Sequence, residues 1–317
     1  MEERDIGFYH LMERCSFETF SIPNLRGLTG LVDLHTHPGL GRADPLALAK
    51  QASRAGMRAL VFKMTNAPSM EVAGVVNDTV REWAQREGLE PVTCFGSLVF
   101  NTFLGGVNLD LARRSIRAGA KALWMPTLTS AYHLMRTKGI SFEEAKRQGV
   151  YLLNNGKLKP EAKDVLKLAL DKDVILSFGH LSPHEIFALA EEANRIKFAK
   201  VMVDHPFASV VGLVPEDFPR LANLGVFINF TYFELSPYGG VNPEEMANWV
   251  KEIGPERVLL SSDVGPEVLP NPVESMRLLT AMLQAGGIEQ SWIKMMAADN
   301  ACRLLGLEPG SKTRRKK

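Results

Sequence analysis

Leu31-Val32-Asp33-Leu34-His35-Thr36-His37-Pro38 joins a short apolar run to two histidines two residues apart. Such a run has the length of a buried strand. A period of two places both imidazoles on one side of it, so both can point beyond the strand's C-terminal end. Working outward, seven further runs of the same kind follow, at 59–63, 92–96, 122–125, 174–178, 201–205, 226–230 and 258–263. Their near-continuous hydrophobicity suits parallel strands covered on both faces. Helical patterns fill the gaps. Asp44-Pro45, Ser182-Pro183, Asn242-Pro243 and Asn271-Pro272 open helices with a capping side chain and a proline in the first turn. Ala55-Gly56, Ala118-Gly119 and Leu224-Gly225 close others just before a strand.

Eight strands alternating with helices predict an α/β chain folded as a (β/α)8 TIM barrel. A doubly wound open sheet is the alternative, but no Gly-rich phosphate loop follows the first run. The expected organisation is an N-terminal extension over 1–29, the barrel over 30–308 and a basic disordered tail over 309–317. Residues 127–160 form a long loop after strand four, with a hairpin turn at Asn155-Gly156, and are expected as a lid on the catalytic face.

Of the 317 residues, 45% are hydrophobic and 23% charged, enough apolar material for a large core. With 37 basic against 36 acidic residues, the net charge of +1 gives no electrostatic reason to expect nucleic acid or an anionic membrane as partner. No apolar stretch reaches the ~18 residues of a membrane span. MEERDIGFYH lacks the pattern of a signal peptide, so a cytoplasmic location is expected. Cys15, Cys94 and Cys302 have no metal-site or redox spacing and are expected as reduced thiols. A small-molecule substrate is the expected partner, with a homo-oligomer left open.

The chemistry lies in the histidines. His35, His37, His180 and His205 stand at the C-terminal ends of predicted strands, and Asp263 ends the eighth. A single histidine at a strand end is more often a hydrogen-bonded structural group than a ligand. Five such residues on strands one, five, six and eight are hard to obtain by chance, because a barrel brings those ends to one mouth. Imidazoles with a carboxylate suit a divalent metal ion, zinc first, with manganese and iron also admitted. Such an ion would activate a water, and Asp263 could take that water's proton.

The segment 32–38, His180, His205, Asp263 and the closing Asn300-Ala301-Cys302-Arg303-Leu304-Leu305-Gly306-Leu307 together resemble the amidohydrolase superfamily, over residues 31 to about 307. Gly179-His180-Leu181-Ser182 is similar to uncharacterised amidohydrolase-like proteins, which supply no substrate. The resemblance implies a metal-dependent hydrolase in which metal-activated water cleaves an amide, lactone, ester or phosphoester bond. With one ion per chain, His35, His37, His180 and Asp263 would hold it, and His205 would act as acid or base. With two, His180 and His205 would hold the second. Two-ion members carry a bridging carboxylated lysine or a glutamate at the end of strand four. Here that end reads Leu123-Trp124-Met125-Pro126-Thr127, and Lys121 lies at the strand's other end, which favours one ion. Lys63, at the mouth end of strand two, is expected as a carboxylated bridge from an unusual strand or as a catalytic or substrate-binding cation. A plain surface lysine is the bland alternative. Glu234 is a second acidic candidate.

Arg42 follows the histidine pair and is a candidate clamp for a substrate carboxylate or phosphate. His133 would reach the site on closure of the lid. His184 is expected exposed and His10 structural. Asp204 is expected to point to the helix layer, opposite His205, and Asn229 and Thr231 to line the mouth. Two other functions compete with hydrolysis: a one-ion lyase such as a decarboxylase, and a non-catalytic metal-binding protein.

Overall fold

The eight apolar runs become one parallel sheet of β1 (Val32–Thr36), β2 (Ala59–Phe62), β3 (Thr93–Val99), β4 (Ala120–Trp124), β7 (Ile175–Ser177), β8 (Val201–Asp204), β9 (Phe227–Thr231) and β10 (Val258–Ser261), hydrogen-bonded in that order. The computed structural model describes residues 29–39, 44–265 and 269–308. The expected tail, Arg42, His10, Cys15 and all of the N-terminal extension but Thr29 lie outside them. Each strand except β3 and β4 is buried along its whole length. Alternation sorts the side chains: Val61, Trp124, Met202 and Leu259 face the interior, while Leu60, Leu123, Val203 and Leu260 pack under the helices. Each large side chain removed from water in this way contributes ~2–3 kcal/mol.

The sheet closes between β1 and β10. Asp263 N–H donates to the His35 carbonyl (2.9 Å) and His37 N–H to the Val264 carbonyl (3.2 Å). Asp33 reinforces this seam, because its Oδ1 accepts from the backbone of both His35 (3.0 Å) and Ser262 (3.1 Å). Burial pushes the Asp33 carboxyl up to about 6. At the opposite end the helix Asn300–Leu305 seals the interior with Ala301, Cys302, Leu304 and Leu305. Buried Asn300 ties it down, donating through Nδ2 to the carbonyls of Pro255 (2.8 Å) and Val258 (2.9 Å) at the start of β10.

Helix starts follow the sequence signals. Asp44 accepts from Ala47 N–H at 2.7 Å, Asn242 from Glu244 N–H at 2.8 Å, and Asn271 from Val273 N–H at 3.0 Å. Ser182 and Glu185 form a reciprocal capping box. Each cap is worth ~1 kcal/mol.

The segment after β4 is more structured than the expected long loop. It carries the helices Ala131–Lys138 and Phe142–Gln148 and a hairpin of β5 (Leu153–Asn154) and β6 (Lys157–Leu158). Asn155 (φ 48°) and Gly156 (φ 74°) make the turn, the left-handed pair that a two-residue hairpin needs. A carboxylate oxygen of Glu185 accepts the Leu152 N–H at 2.7 Å and pins the segment to the neighbouring helix. Among the described residues, no helix is long and apolar enough to cross a membrane.

Candidate metal centre at the barrel mouth

Three residues at the mouth share an unusual backbone. His180 (φ 66°), His205 (φ 38°) and Asp263 (φ 52°) lie in the left-handed region, just beyond the ends of β7, β8 and β10. For residues with a Cβ this conformation costs ~1 kcal/mol or more each. At His180 and His205, which would otherwise follow their strands outward, its effect is to turn the side chain over the mouth instead. On β1 the pairing with β2 shifts register between Asp33 and Thr36, at the histidine pair.

These turns bring three donor atoms together. His35 Nε2 and His37 Nε2 are 3.1 Å apart, and Asp263 Oδ1 is 3.0 Å from each. Atoms bound to one zinc-sized ion at roughly 2.0–2.2 Å stand about 3 Å or slightly more apart, so this spacing fits a shared divalent cation. Among the described residues no other three ligand side chains converge in this way. His37 is oriented from behind, with Nδ1 2.8 Å from the Lys63 carbonyl, which fixes Nδ1 as the protonated nitrogen and leaves the Nε2 lone pair facing the cluster.

The charges are unevenly distributed. Burial alone would lower the pKa of His35, but Asp263 and Asp204 outweigh both burial and Lys63 and lift it to about 9. Burial lowers His37 to about 4, against its hydrogen bond to Asp263. Burial would raise Asp263, yet His35, His205 and the hydrogen bonds from His35 and His37 hold it well below the usual carboxylate range. In the metal-free protein one imidazolium thus sits among anions, and a metal ion can replace its proton.

Asp204 corrects the sequence expectation. It does not point to the helix layer but is fully buried inside the barrel beneath the site. Its Oδ2 accepts from Trp124 Nε1 (2.7 Å) and Ser177 Oγ (2.5 Å), and its Oδ1 from Asn229 Nδ2 (2.6 Å). Oδ1 also lies 3.1 Å from His35 Nδ1, within ion-pair distance but off the straight N–H···O line of a full hydrogen bond. Alternation puts Asp204 inside, like Met202, and the left-handed turn at His205 brings the next residue in as well. Burial opposes its charge, but His35 and Lys63 hold its carboxyl below the normal range.

His180 stands beside His205 (ring centres 4.7 Å apart), outside the tight triad, and its Nδ1 is 2.9 Å from His133 Nδ1. The segment after β4 therefore already touches the site, and Ser130 Oγ also donates to the His180 carbonyl. Burial drives His180 well below its usual pKa and His205 to about 4, so both are neutral imidazoles at pH 7. Among the described residues, His205 Nδ1 is buried without a hydrogen-bond partner. Lys63, only 2% exposed, places Nζ 2.9 Å from His35 Nε2 and 5.6 Å from the centre of the Trp124 ring. The plain surface lysine is excluded by that burial.

Glu234 faces elsewhere. Its two oxygens accept from Phe207 N–H (2.8 Å), Thr231 N–H (2.7 Å) and Thr231 Oγ1 (3.1 Å), so it caps a turn and does not line the pocket. Thr231 is spent on that cap. Asn229 lies below the mouth, on Asp204, and receives Ser261 Oγ at 2.9 Å. His184 is exposed, as expected.

Above the triad opens a pocket of about 250 Å³. His37, Lys63, His180, His205 and Asp263 line it together with Thr65, Thr127, Leu128, Ala208, Val210, Phe233 and Gly265. Sequence reasoning missed Asp204 and Trp124 as supports and the apolar part of this wall. Asp204, next to a strand-end histidine and two residues past Met202 on the inward parity, carried the one signal available.

A search of curated proteins finds no match. Solved structures share the architecture. An amidohydrolase from Pseudomonas aeruginosa is 11% identical, with a TM-score of 0.59 over 89% of this chain and 97% of its own. The probable dipeptidase PvdM from Pseudomonas aeruginosa is 13% identical, with a TM-score of 0.59 over 89% and 96%. A 2,6-dihydroxybenzoate decarboxylase is 14% identical, with a TM-score of 0.51 over 88% and 100%. At such identities the likeness speaks for the barrel alone. The triad consists of three of the four residues that the sequence resemblance assigns to a single ion. A family model matches residues 30–229, more than half the chain, spanning the site from His35 to His205 but not Asp263, and the chain thereby belongs to the family of unknown function DUF6282.

Proposed function

We propose that the chain is a metal-dependent hydrolase that cleaves an amide, lactone, ester or phosphoester bond of a small molecule, with one zinc-like ion per chain. The observation that carries this reading is the convergence of His35 Nε2, His37 Nε2 and Asp263 Oδ1 within 3.0–3.1 Å of one another at the floor of an open pocket. A divalent ion held there would lower the pKa of a water and polarise the scissile carbonyl or phosphoryl group.

The side chains divide the remaining work. Asp263 stays ionised, so its carboxylate can accept the proton that the attacking water gives up. Lys63 lines the pocket and carries positive charge to where an oxyanion develops. His205, a neutral imidazole lining the pocket, can hydrogen-bond the substrate oxygen, or take up the proton that Asp263 accepts from the water and pass it on to the leaving group. His180, braced by His133, forms the wall beside it.

Protein produced with excess zinc or manganese should contain one equivalent of metal per chain and turn over part of a panel of amides, lactones, esters and phosphoesters. His35→Ala and Asp263→Ala should each lose the ion and the activity while circular dichroism stays that of the folded barrel. Two equivalents of metal would replace the one-ion arrangement, with His180 and His205 as ligands of the second ion and Lys63 as the bridge. Full activity in either variant would refute the assignment. The single triad and the fold shared with a 2,6-dihydroxybenzoate decarboxylase support a second reading, a one-ion decarboxylase. Release of carbon dioxide from aromatic acids without hydrolysis of the panel would select it.

A further inference from the structure

Resting on that reading of the metal centre, we infer that the site serves a small molecule whose body, away from the reacting group, is uncharged and apolar, about the bulk of one substituted benzene ring. The pocket is two-sided in chemistry. Its floor holds the polar groups, and its wall is built from Leu128, Ala208, Val210 and Phe233. Leu128 follows β4 and Phe233 follows β9, the fourth and seventh strands of an eight-membered ring, so these two side chains come from nearly opposite sides of the mouth. Among the described lining residues, Lys63 and Asp263 are the ionisable ones besides three histidines whose pKa values burial lowers, and both stand at the metal centre. A charged group on the far part of a substrate would lose water against this wall with no described counter-charge to replace it.

Size and exposure agree. The volume of about 250 Å³ is the share of roughly eight waters at ~30 Å³ each. That admits a ring with a short reacting arm. Leu128 is 40% exposed where it lines the pocket. Phe233, which lines the pocket, lies nearly parallel to Tyr238, with ring centres 6.4 Å and planes 10° apart. A ligand with an apolar body would cover both.

The test separates the wall from the metal. Metal-loaded protein is titrated calorimetrically with acetohydroxamic acid, benzohydroxamic acid and succinic acid monohydroxamate, whose shared chelating group differs only in what it carries. Benzohydroxamate should bind at least tenfold more tightly than acetohydroxamate, and the charged succinyl compound no more tightly than acetohydroxamate. Phe233→Ala, or Leu128→Ser at the exposed rim if the first fails to fold, should bring the benzo-to-aceto ratio toward one. A flat series, a preference for the charged compound, or an unchanged ratio in the folded variant would overturn this inference while leaving the hydrolase reading in place. Protein that takes up no metal would overturn that reading, and this inference with it.

Discussion

Replacing Asp204 by asparagine changes one atom in size but breaks a donor count that the barrel interior cannot rebalance. The carboxylate serves two groups on each oxygen: Trp124 Nε1 and Ser177 Oγ on Oδ2, Asn229 Nδ2 and the off-axis His35 Nδ1 on Oδ1. An asparagine offers one accepting oxygen and one donating nitrogen. If its oxygen takes the Trp124 side, its NH2 faces Asn229 and His35. Asn229 can flip, because Ser261 Oγ can reverse its hydrogen bond, but His35 must then accept on Nδ1 and carry its proton on Nε2, the atom aimed at the metal site. If the oxygen takes the other side, the NH2 meets the indole N–H of fully buried Trp124, which can only donate. That orphaned donor costs about 1–3 kcal/mol of stability. In both orientations His35 loses a buried anion. Removing a partner of this kind typically lowers metal affinity about 10–100-fold, or about 1.4–2.7 kcal/mol. Competition with a chromophoric chelator gives the affinity, and urea unfolding of metal-free protein gives the stability. Asp204→Asn with wild-type values of both would refute the role assigned to this carboxylate.

Two further predictions concern protons and backbone. At pH 7 metal-free His35 (about 9) holds a proton and His37 (about 4) does not, so each ion bound should release about one proton, seen as a buffer-dependent heat in calorimetry. Because the proton competes with the ion, affinity should fall as pH falls, about tenfold per unit between pH 8 and 6; a pH-independent affinity would exclude the protonated His35. His180→Gly and His180→Ala remove the same contacts, but only glycine is at ease at φ 66°, so the glycine variant should be more stable by about 1 kcal/mol in urea unfolding. An alanine variant of equal or greater stability would contradict the left-handed backbone there.

Much of the architecture was legible in the chain because its causes are local. Eight apolar runs, capping residues before Pro45, Pro183, Pro243 and Pro272, and the Asn155-Gly156 turn depend on neighbours a few residues away, and each appears where the sequence puts it. The two structured helices between Ser130 and Gln148 were not legible as such, since short polar helices carry weak periodicity and these are held by packing on each other through Ala131, Leu134 and Ala145. At the site, the strand-end positions of His35, His37, His180 and Asp263 were read as one ligand set; three of these meet, and His180 stands apart from them. Glu234 illustrates the limit: its place just beyond β9 suggested a ligand, but its oxygens go to backbone donors that no sequence spacing reveals.

By itself, then, the amino-acid order determined which residues arrive at the mouth, since strand length and period are properties of the chain alone. Tertiary structure decided which of them meet. Left-handed turns at His180 and His205 and the shifted register on β1 override alternation, while Asp204 and Asp263 keep the inward parity of their strands. Together they leave Asp204 under His35, Lys63 beside it, and His180 with His133 instead of in the triad. The physical reason is that alternation fixes direction only while a strand continues, and beyond its last hydrogen bond the closing seam and packed neighbours set where each side chain points.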